Sequence, residues 1–286
     1  MARPRPDRVL KVRRFIDDAN LVVEVRDARG PEVTSPTRYI GRVRVPRLVI
    51  LTKTDLASQP VTRRWVDALS GDGTQVLALD LSGRSRAGDK LLETLTSYIG
   101  RVKTTLGIVR AVVVGLPNVG KSTLINRVRR MCVAPTGDQP GVTRGKLWVQ
   151  VTESLFVLDT PGIIEISDEL LKRFGPDGWK LSLLNIVPEK AMEAEDTILG
   201  FLEVMMDRAH EITDPVLREH LGSCETPMDV LIEFARSQGL RTRGGDPDIT
   251  TASRRLIGRF RRREIGRISL ERPGDASPDE EPQRQR

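Results

Sequence analysis

Apolar residues along this chain fall into two regimes. From Leu21 to Leu158 they gather in short runs: Leu21-Val22-Val23-Glu24-Val25, Arg47-Leu48-Val49-Ile50-Leu51, Val76-Leu77-Ala78-Leu79, Val109-Arg110-Ala111-Val112-Val113-Val114, Leu147-Trp148-Val149-Gln150-Val151 and Leu155-Phe156-Val157-Leu158. Runs of this length, rich in β-branched residues, are the mark of buried strands. Between them, Arg63 to Leu69 and Lys90 to Ile99 carry helical spacing and helix-forming side chains. Strands alternating with helices predict an α/β fold with a doubly wound, mostly parallel sheet. Only a turn near Thr152-Glu153-Ser154 separates the last two runs, which predicts an antiparallel hairpin at one edge. After Ile164 the strand pattern stops, and Glu189 to Arg208, Pro227 to Ser237 and Ile249 to Arg263 read as helices. The expected organisation is an α/β domain over 1–165, a smaller all-α domain over 166–271, and a disordered tail over 272–286, rich in Pro, Asp, Glu, Gln and Arg.

Composition narrows the setting. Of 286 residues, 38% are hydrophobic and 30% charged, and no apolar run approaches the roughly 20 residues that cross a bilayer. The start, Met1-Ala2-Arg3-Pro4-Arg5-Pro6, leads into Arg8-Val9-Leu10-Lys11 and not into an apolar signal core. Cys132 and Cys224 supply neither a disulfide framework nor metal spacing, and His210 and His220 alone exclude a histidine-rich metal centre. A cytoplasmic protein without membrane contact is expected. The formal charge of +7 fits a polyanionic partner and an arginine-rich proteome equally well.

The chemistry lies in four segments. Gly115-Leu116-Pro117-Asn118-Val119-Gly120-Lys121-Ser122 follows a β-branched strand and opens the helix Thr123-Leu124-Ile125-Asn126-Arg127. That arrangement is a phosphate loop: backbone N–H groups from Asn118 through Thr123 face phosphate oxygens, aided by the helix N-terminus. Lys121 is placed for the β- and γ-phosphates and the Ser122 hydroxyl for Mg²⁺. Asp159-Thr160-Pro161-Gly162 ends the last strand, where Asp159 suits a Mg²⁺ contact and the Gly162 N–H can report the γ-phosphate. Thr143, in Pro140-Gly141-Val142-Thr143-Arg144-Gly145, is the candidate switch ligand to the metal, or else a plain turn threonine. Thr52-Lys53-Thr54-Asp55 follows a strand end; Asp55 can accept from guanine N1–H and N2–H₂, a pattern adenine lacks, while the Lys53 stem can lie over the base. Thr52 stands where asparagine is usual. Leu81-Ser82-Gly83 occupies the place of a further base-supporting loop but lacks the usual Ser-Ala, so no role is assigned to it. The groups expected to act on the γ-phosphate are Lys121, Thr143, Gly162 and Asn118.

The order Asp27-Ala28-Arg29, Thr52-Lys53-Thr54-Asp55, phosphate loop, Pro140-Gly141-Val142-Thr143, Asp159-Thr160-Pro161-Gly162 resembles the circularly permuted GTPases. The stretch Gly115 to Gly162, with Asn126-Arg127, Thr136-Gly137-Asp138 and Trp148, is similar to the ribosome-biogenesis GTPase A family (RbgA, also YlqF), and the likeness reaches Gly266-Arg267-Ile268-Ser269-Leu270. The resemblance implies a permuted G domain with a helical C-terminal domain, GTP and GDP with Mg²⁺ as cofactors, and slow GTP hydrolysis during late assembly of the large ribosomal subunit. It also implies K⁺ held by Asn118 beside the β- and γ-phosphates; as residues alone, Asn118 reads equally as a turn residue. One departure stands out: the family's N-terminal Trp-Phe-Pro-Gly-His-Met motif is replaced by Arg5-Pro6-Asp7-Arg8-Val9-Leu10, with no histidine before His210. Ile163, after Gly162, is hydrophobic as in relatives that lack the water-orienting glutamine, so neither familiar water-positioning side chain is visible. A nucleotide-gated assembly scaffold without hydrolysis is therefore the alternative reading.

On the helix from Ile249, residues Ile249, Ala252, Leu256 and Phe260 share one face and Arg254, Arg255, Arg261 and Arg262 the other, flanked by Arg241, Arg243 and Arg267. Such a face is either a solvated surface or a contact for rRNA phosphates, and scarce acidic neighbours favour the second. The expected partner is the large-subunit precursor, its rRNA and ribosomal proteins, met by a monomer. Because the chain leaves the G domain directly after Gly162, loss of the γ-phosphate is expected to tilt the helical domain.

Overall fold

The computed structural model describes residues 15–41, 43–71, 73–82, 91, 93–94, 97, 108–131, 148–152, 155–158, 175–188 and 192–274. Its strands are β1 (Leu21–Asp27), β2 (Arg47–Thr52), β3 (Thr74–Ala78), β4 (Val109–Val114), β5 (Trp148–Thr152) and β6 (Leu155–Leu158). They form one sheet in the order β3-β2-β1-β4-β6-β5. All neighbours are parallel except β5 and β6, which pair antiparallel at the edge, as the short turn between them predicts. β4 and β6 begin and end where their apolar runs do, whereas β1 runs on to Asp27 and β2 to Thr52 because the ladder continues to the pair Asp27–Thr52.

Central β1 is buried along its whole length, yet it carries charge. Arg26 pairs with Glu24 at 2.7 Å and donates to the Pro31 carbonyl, so these charges are paired inside the sheet layer. Helices cover the sheet: α1 (Thr37–Ile40), α2 (Gln59–Leu69) and α3 (Lys121–Met131). Helix α2 buries Val61 and Trp65 against Val49, Leu51 and Val76, while α3 turns Leu124, Ile125 and Val128 inward. Leu91, Glu93, Thr94 and Ser97 are helical as well, in keeping with the expected helix there.

Between Gly178 and Arg261 the regular elements of the described chain are helices. A bundle is built from α4 (Gly178–Leu183), α5 (Ala194–Met206), α6 (Pro215–Ser223), α7 (Pro227–Ser237) and α8 (Ile249–Arg261). Helices α4 and α6 were not expected, being too short to show periodicity. The start of α6 was nonetheless written in the sequence: Asp214 accepts from the Leu217 N–H at 2.7 Å and Pro215 follows it. Helix α8 buries Ala252, Leu256 and Phe260 as its spacing predicts, and Phe260 meets Phe201 of α5 edge-on with ring centroids 5.5 Å apart.

After α8 the chain turns back. The segment from Ile265 to Pro273 lies along the sheet layer: the Leu270 N–H donates to the Arg29 carbonyl at 2.6 Å, Ser58 N–H to Ser269 Oγ at 3.2 Å, and Trp65 Nε1 to the Glu271 carbonyl at 3.1 Å. Arg272 and Pro273, placed in the tail by composition, are held too, Arg272 on Glu211 and the Pro273 carbonyl by Arg64. Apart from the cluster under α2, buried apolar side chains of sheet and bundle form one continuous cluster, from Val25 and Val33 through Leu183 and Leu184 to Phe260. The boundary expected near residue 165, and residues 275–286, lie outside the described chain.

Candidate nucleotide-binding site

In an open parallel sheet, ligands bind beyond the carboxyl ends of the strands where the strand order reverses. Here β1 leads to β2 on one side while β4 lies on the other, so the reversal falls between β1 and β4. Three motifs end at that point: Asp27-Ala28-Arg29 after β1, Thr52 to Asp55 after β2, and the phosphate loop after β4.

The phosphate loop is shaped by close approach. A Cβ on Gly115 would stand 2.6 Å from the Val25 carbonyl oxygen, and Gly120 has φ +104, so both positions require glycine. Val119 is buried, whereas Ser122 and Thr123 are exposed at the first turn of α3 and Lys121 is half-buried. The Lys121 ammonium donates to the Leu116 carbonyl at 2.6 Å, curling the side chain over its own loop.

Thr52 joins this loop to the base-reading segment. Its buried hydroxyl stands 2.5 Å from the Val119 carbonyl and 3.0 Å from the Arg26 carbonyl. With one proton it donates to one of them at a time; the bond to Val119 fixes the phosphate loop against β2, and the bond to Arg26 ties β2 to β1. The usual asparagine is thus replaced by a smaller residue that reaches the loop through its hydroxyl. Lys53 is left-handed (φ 55) and its ammonium lies 2.9 Å from Asp27 Oδ2. Thr54 and Asp55 are half-buried in the turn closed by the Leu56 N–H on the Lys53 carbonyl. Burial raises the Asp55 pKa, and the nearby Asp80 carboxylate raises it further.

Several participants escaped the sequence reading. Asp27 is fully buried; it accepts from Arg29 N–H, Nε and Nη2 as well as from Lys53. Burial alone would raise its pKa, but the Arg29 and Lys53 charges outweigh that and hold the carboxyl well below the usual carboxylate range. Asp80 Oδ1 accepts from Ser82 N–H and Oγ, which places the unassigned Leu81-Ser82 turn beside Asp55. Two bundle residues touch the loops directly: Asn118 Nδ2 donates to the Asn185 carbonyl at 2.7 Å, and Arg263 Nη1 to the Asp55 carbonyl at 3.1 Å. The tripeptide Asp27-Ala28-Arg29 was the only available signal for the first of these groups. No spacing announces the others, which come from distant parts of the chain.

Thr143, Asp159 and Gly162 lie outside the described residues. Of the four arginines expected on the outer face of α8, Arg254 and Arg255 are exposed on it and Arg262 is exposed just past its end. Arg261 instead caps α4 through the Leu183 and Ser182 carbonyls, at 3.1 and 2.7 Å, and Arg262 pairs with Glu264 at 2.5 Å. Among the described residues, no group of three or more His, Cys, Asp or Glu is arranged to hold a metal ion.

A phosphate loop at the sheet's reversal point, tied by Thr52 to a base-reading turn that precedes it in the chain, defines a circularly permuted P-loop GTP-binding protein. The family model described as "50S ribosome-binding GTPase" matches residues 110–219. Ribosome biogenesis GTPase A of Thermotoga maritima is 31% identical over 285 residues, covering 97% of both chains. That of Priestia megaterium is 30% identical, covering 95% of this chain and 96% of its own. Among solved structures, GDP-bound TM YlqF superposes with a TM-score of 0.66 at 27% identity, covering 93% of this chain and all of its own. GNP-bound YlqF from T. maritima gives 0.63 at 28% identity, with 93% of this chain covered. The chain belongs to the ribosome biogenesis GTPase A family; it binds GTP, hydrolyses it and serves ribosome assembly. Among the described residues, no helix is long and apolar enough to cross a membrane.

Proposed function

We propose that this GTPase acts late in assembly of the large ribosomal subunit, its nucleotide state controlling how the helical bundle docks on precursor rRNA and ribosomal proteins. In this reading residues 1–165 form the G domain and 166–271 the docking domain, and the protein works as a cytoplasmic monomer. The observation that carries it is that bundle and nucleotide loops are in direct contact, Asn185 on Asn118 and Arg263 on Asp55. A change at either end of the nucleotide therefore bears on the bundle that presents Arg254 and Arg255.

Asp55 selects guanine, Thr52 and Lys53 shape the base side, and the N–H groups of Asn118 to Thr123 cradle the phosphates. Lys121 leaves the Leu116 carbonyl to meet the β- and γ-phosphates, with Gly162 and Thr143 closing on the γ-phosphate. The exposed Ser122 hydroxyl is a hard oxygen donor at a helix start, a donor that suits Mg²⁺ and not a softer metal. Ser122, with Thr143 and Asp159, would hold that ion, which when bound supplies charge neutralisation at the β- and γ-oxygens. Asn118 would face K⁺ with its amide oxygen, the atom turned from Asn185 since its Nδ2 is the donor there.

The test is co-sedimentation with large subunits and their precursors in the presence of a non-hydrolysable GTP analogue or GDP. Stronger pelleting with the analogue is expected, weakened by Arg254→Ala together with Arg255→Ala. Equal pelleting in both nucleotides would count against the switch.

A further inference from the structure

We propose that Asp27 is a positioning residue for guanine recognition: it holds the Lys53 side chain in place before nucleotide arrives. The proposal rests on the reading of Thr52 to Asp55 as the base pocket. Lys53 is fixed at its backbone on both sides, by the Thr52 hydroxyl between the Arg26 and Val119 carbonyls and by the Leu56 N–H on its own carbonyl. Its left-handed conformation (φ 55) aims the side chain back towards β1, where Asp27 Oδ2 receives the ammonium at 2.9 Å. The side chain is consequently stretched between two fixed points and only 26% exposed. A lysine otherwise loses its rotamer freedom when a ligand packs on it; here that loss is already met in the folded protein.

Asp27 can do this because it is itself immobile. The Arg29 guanidinium grips it with Nε at 3.0 Å and Nη2 at 2.8 Å, and the Arg29 N–H adds a third bond at 3.0 Å. Arg29 lies 5.2 Å from the centroid of the Phe260 ring, and its carbonyl accepts from Leu270. Helix α8 and the returning C-terminal segment thus buttress the base pocket from behind. The carboxylate serves recognition without touching the nucleotide.

The experiment is a double-mutant cycle read by calorimetry of GDP binding, using Asp27→Asn, Lys53→Met and the double variant. Lys53→Met keeps an apolar stem of similar length and removes the ammonium. Each single change is expected to weaken GDP roughly tenfold, and the double to weaken it no more than Lys53→Met alone. GDP binding of wild-type strength by D27N, or a full further loss when D27N is added to K53M, overturns the proposal. If D27N does not fold, K53M alone decides: undiminished GDP affinity overturns the proposal and a tenfold loss supports it. Wild-type preference for GDP over ADP, measured alongside, checks the underlying reading separately.

Discussion

Thr52 shows how much one side chain carries at this site. The pattern of an apolar strand followed by Thr-Lys-Thr-Asp identified the segment, and Asp55 pointed to guanine. The tether was hidden, because the hydroxyl's partners, Arg26 and Val119, are remote in sequence. Thr52→Val preserves shape and leaves a buried carbonyl without its donor, a loss of about 1–3 kcal/mol. Urea unfolding is expected to show that loss, and calorimetry a weaker GDP complex; unchanged values in both would contradict the tether. The same limit applied to Asp27. Its position in the tripeptide was visible, but its complete burial and its contact with Lys53 arise only when β1 and β2 pair at their last residues.

Among the elements, strands were the more legible. Parallel strands buried on both faces appear as unbroken apolar runs, so their places could be read directly. Helices of three turns or more were equally plain, α7 to the residue. The short α4 and α6 were lost because too few turns repeat to reveal a face. Helix α6 is held at its start by Asp214, which also pairs with Arg259 of α8 at 2.6 Å, both side chains being largely buried. Asp214→Ala removes a cap worth about 1 kcal/mol and takes from the largely buried Arg259 guanidinium its nearer carboxylate, leaving only Glu264 at 3.6 Å, so a total loss of about 2–3 kcal/mol is expected in chemical unfolding. A loss within a few tenths of a kcal/mol would mean that α6 docks independently of α8. Arg261 carries the complementary lesson: periodicity put it on the outer face, yet its length lets it bend to the end of α4.

For the whole molecule, the C-terminal segment decides how the parts are joined. Glu271 accepts the Glu32 and Val33 N–H groups and lies 3.7 Å from Lys180, inside the seam between sheet and bundle. Burial lifts its pKa from 4.5 to about 7, only partly offset by Lys180 and the two N–H donors. A carboxyl with a raised folded-state pKa contributes stability fully present below about pH 4.5 and lost as pH climbs through about 7. Wild type is therefore expected to lose about 2–3 kcal/mol relative to Glu271→Gln between pH 5 and pH 8. Unfolding curves at several pH values check this, and parallel profiles for the two proteins would exclude it.

The sequence by itself determined the elements and the chemistry: apolar runs set the sheet, and glycine, lysine, serine and aspartate at loop spacing set the nucleotide site. Those are local properties, fixed by backbone conformation and by the order of neighbours in the chain. Tertiary structure alone decided what supports the site. Thr52 on the phosphate loop, Lys53 on Asp27, Asn185 on Asn118 and the returning segment on Arg29 are contacts between distant residues, specified by strand pairing and by one core shared between sheet and bundle. Burial, which lifts the Glu271 pKa, is likewise a property of the assembled fold, as is the approach of Lys53 that with Arg29 keeps Asp27 ionised against its own burial.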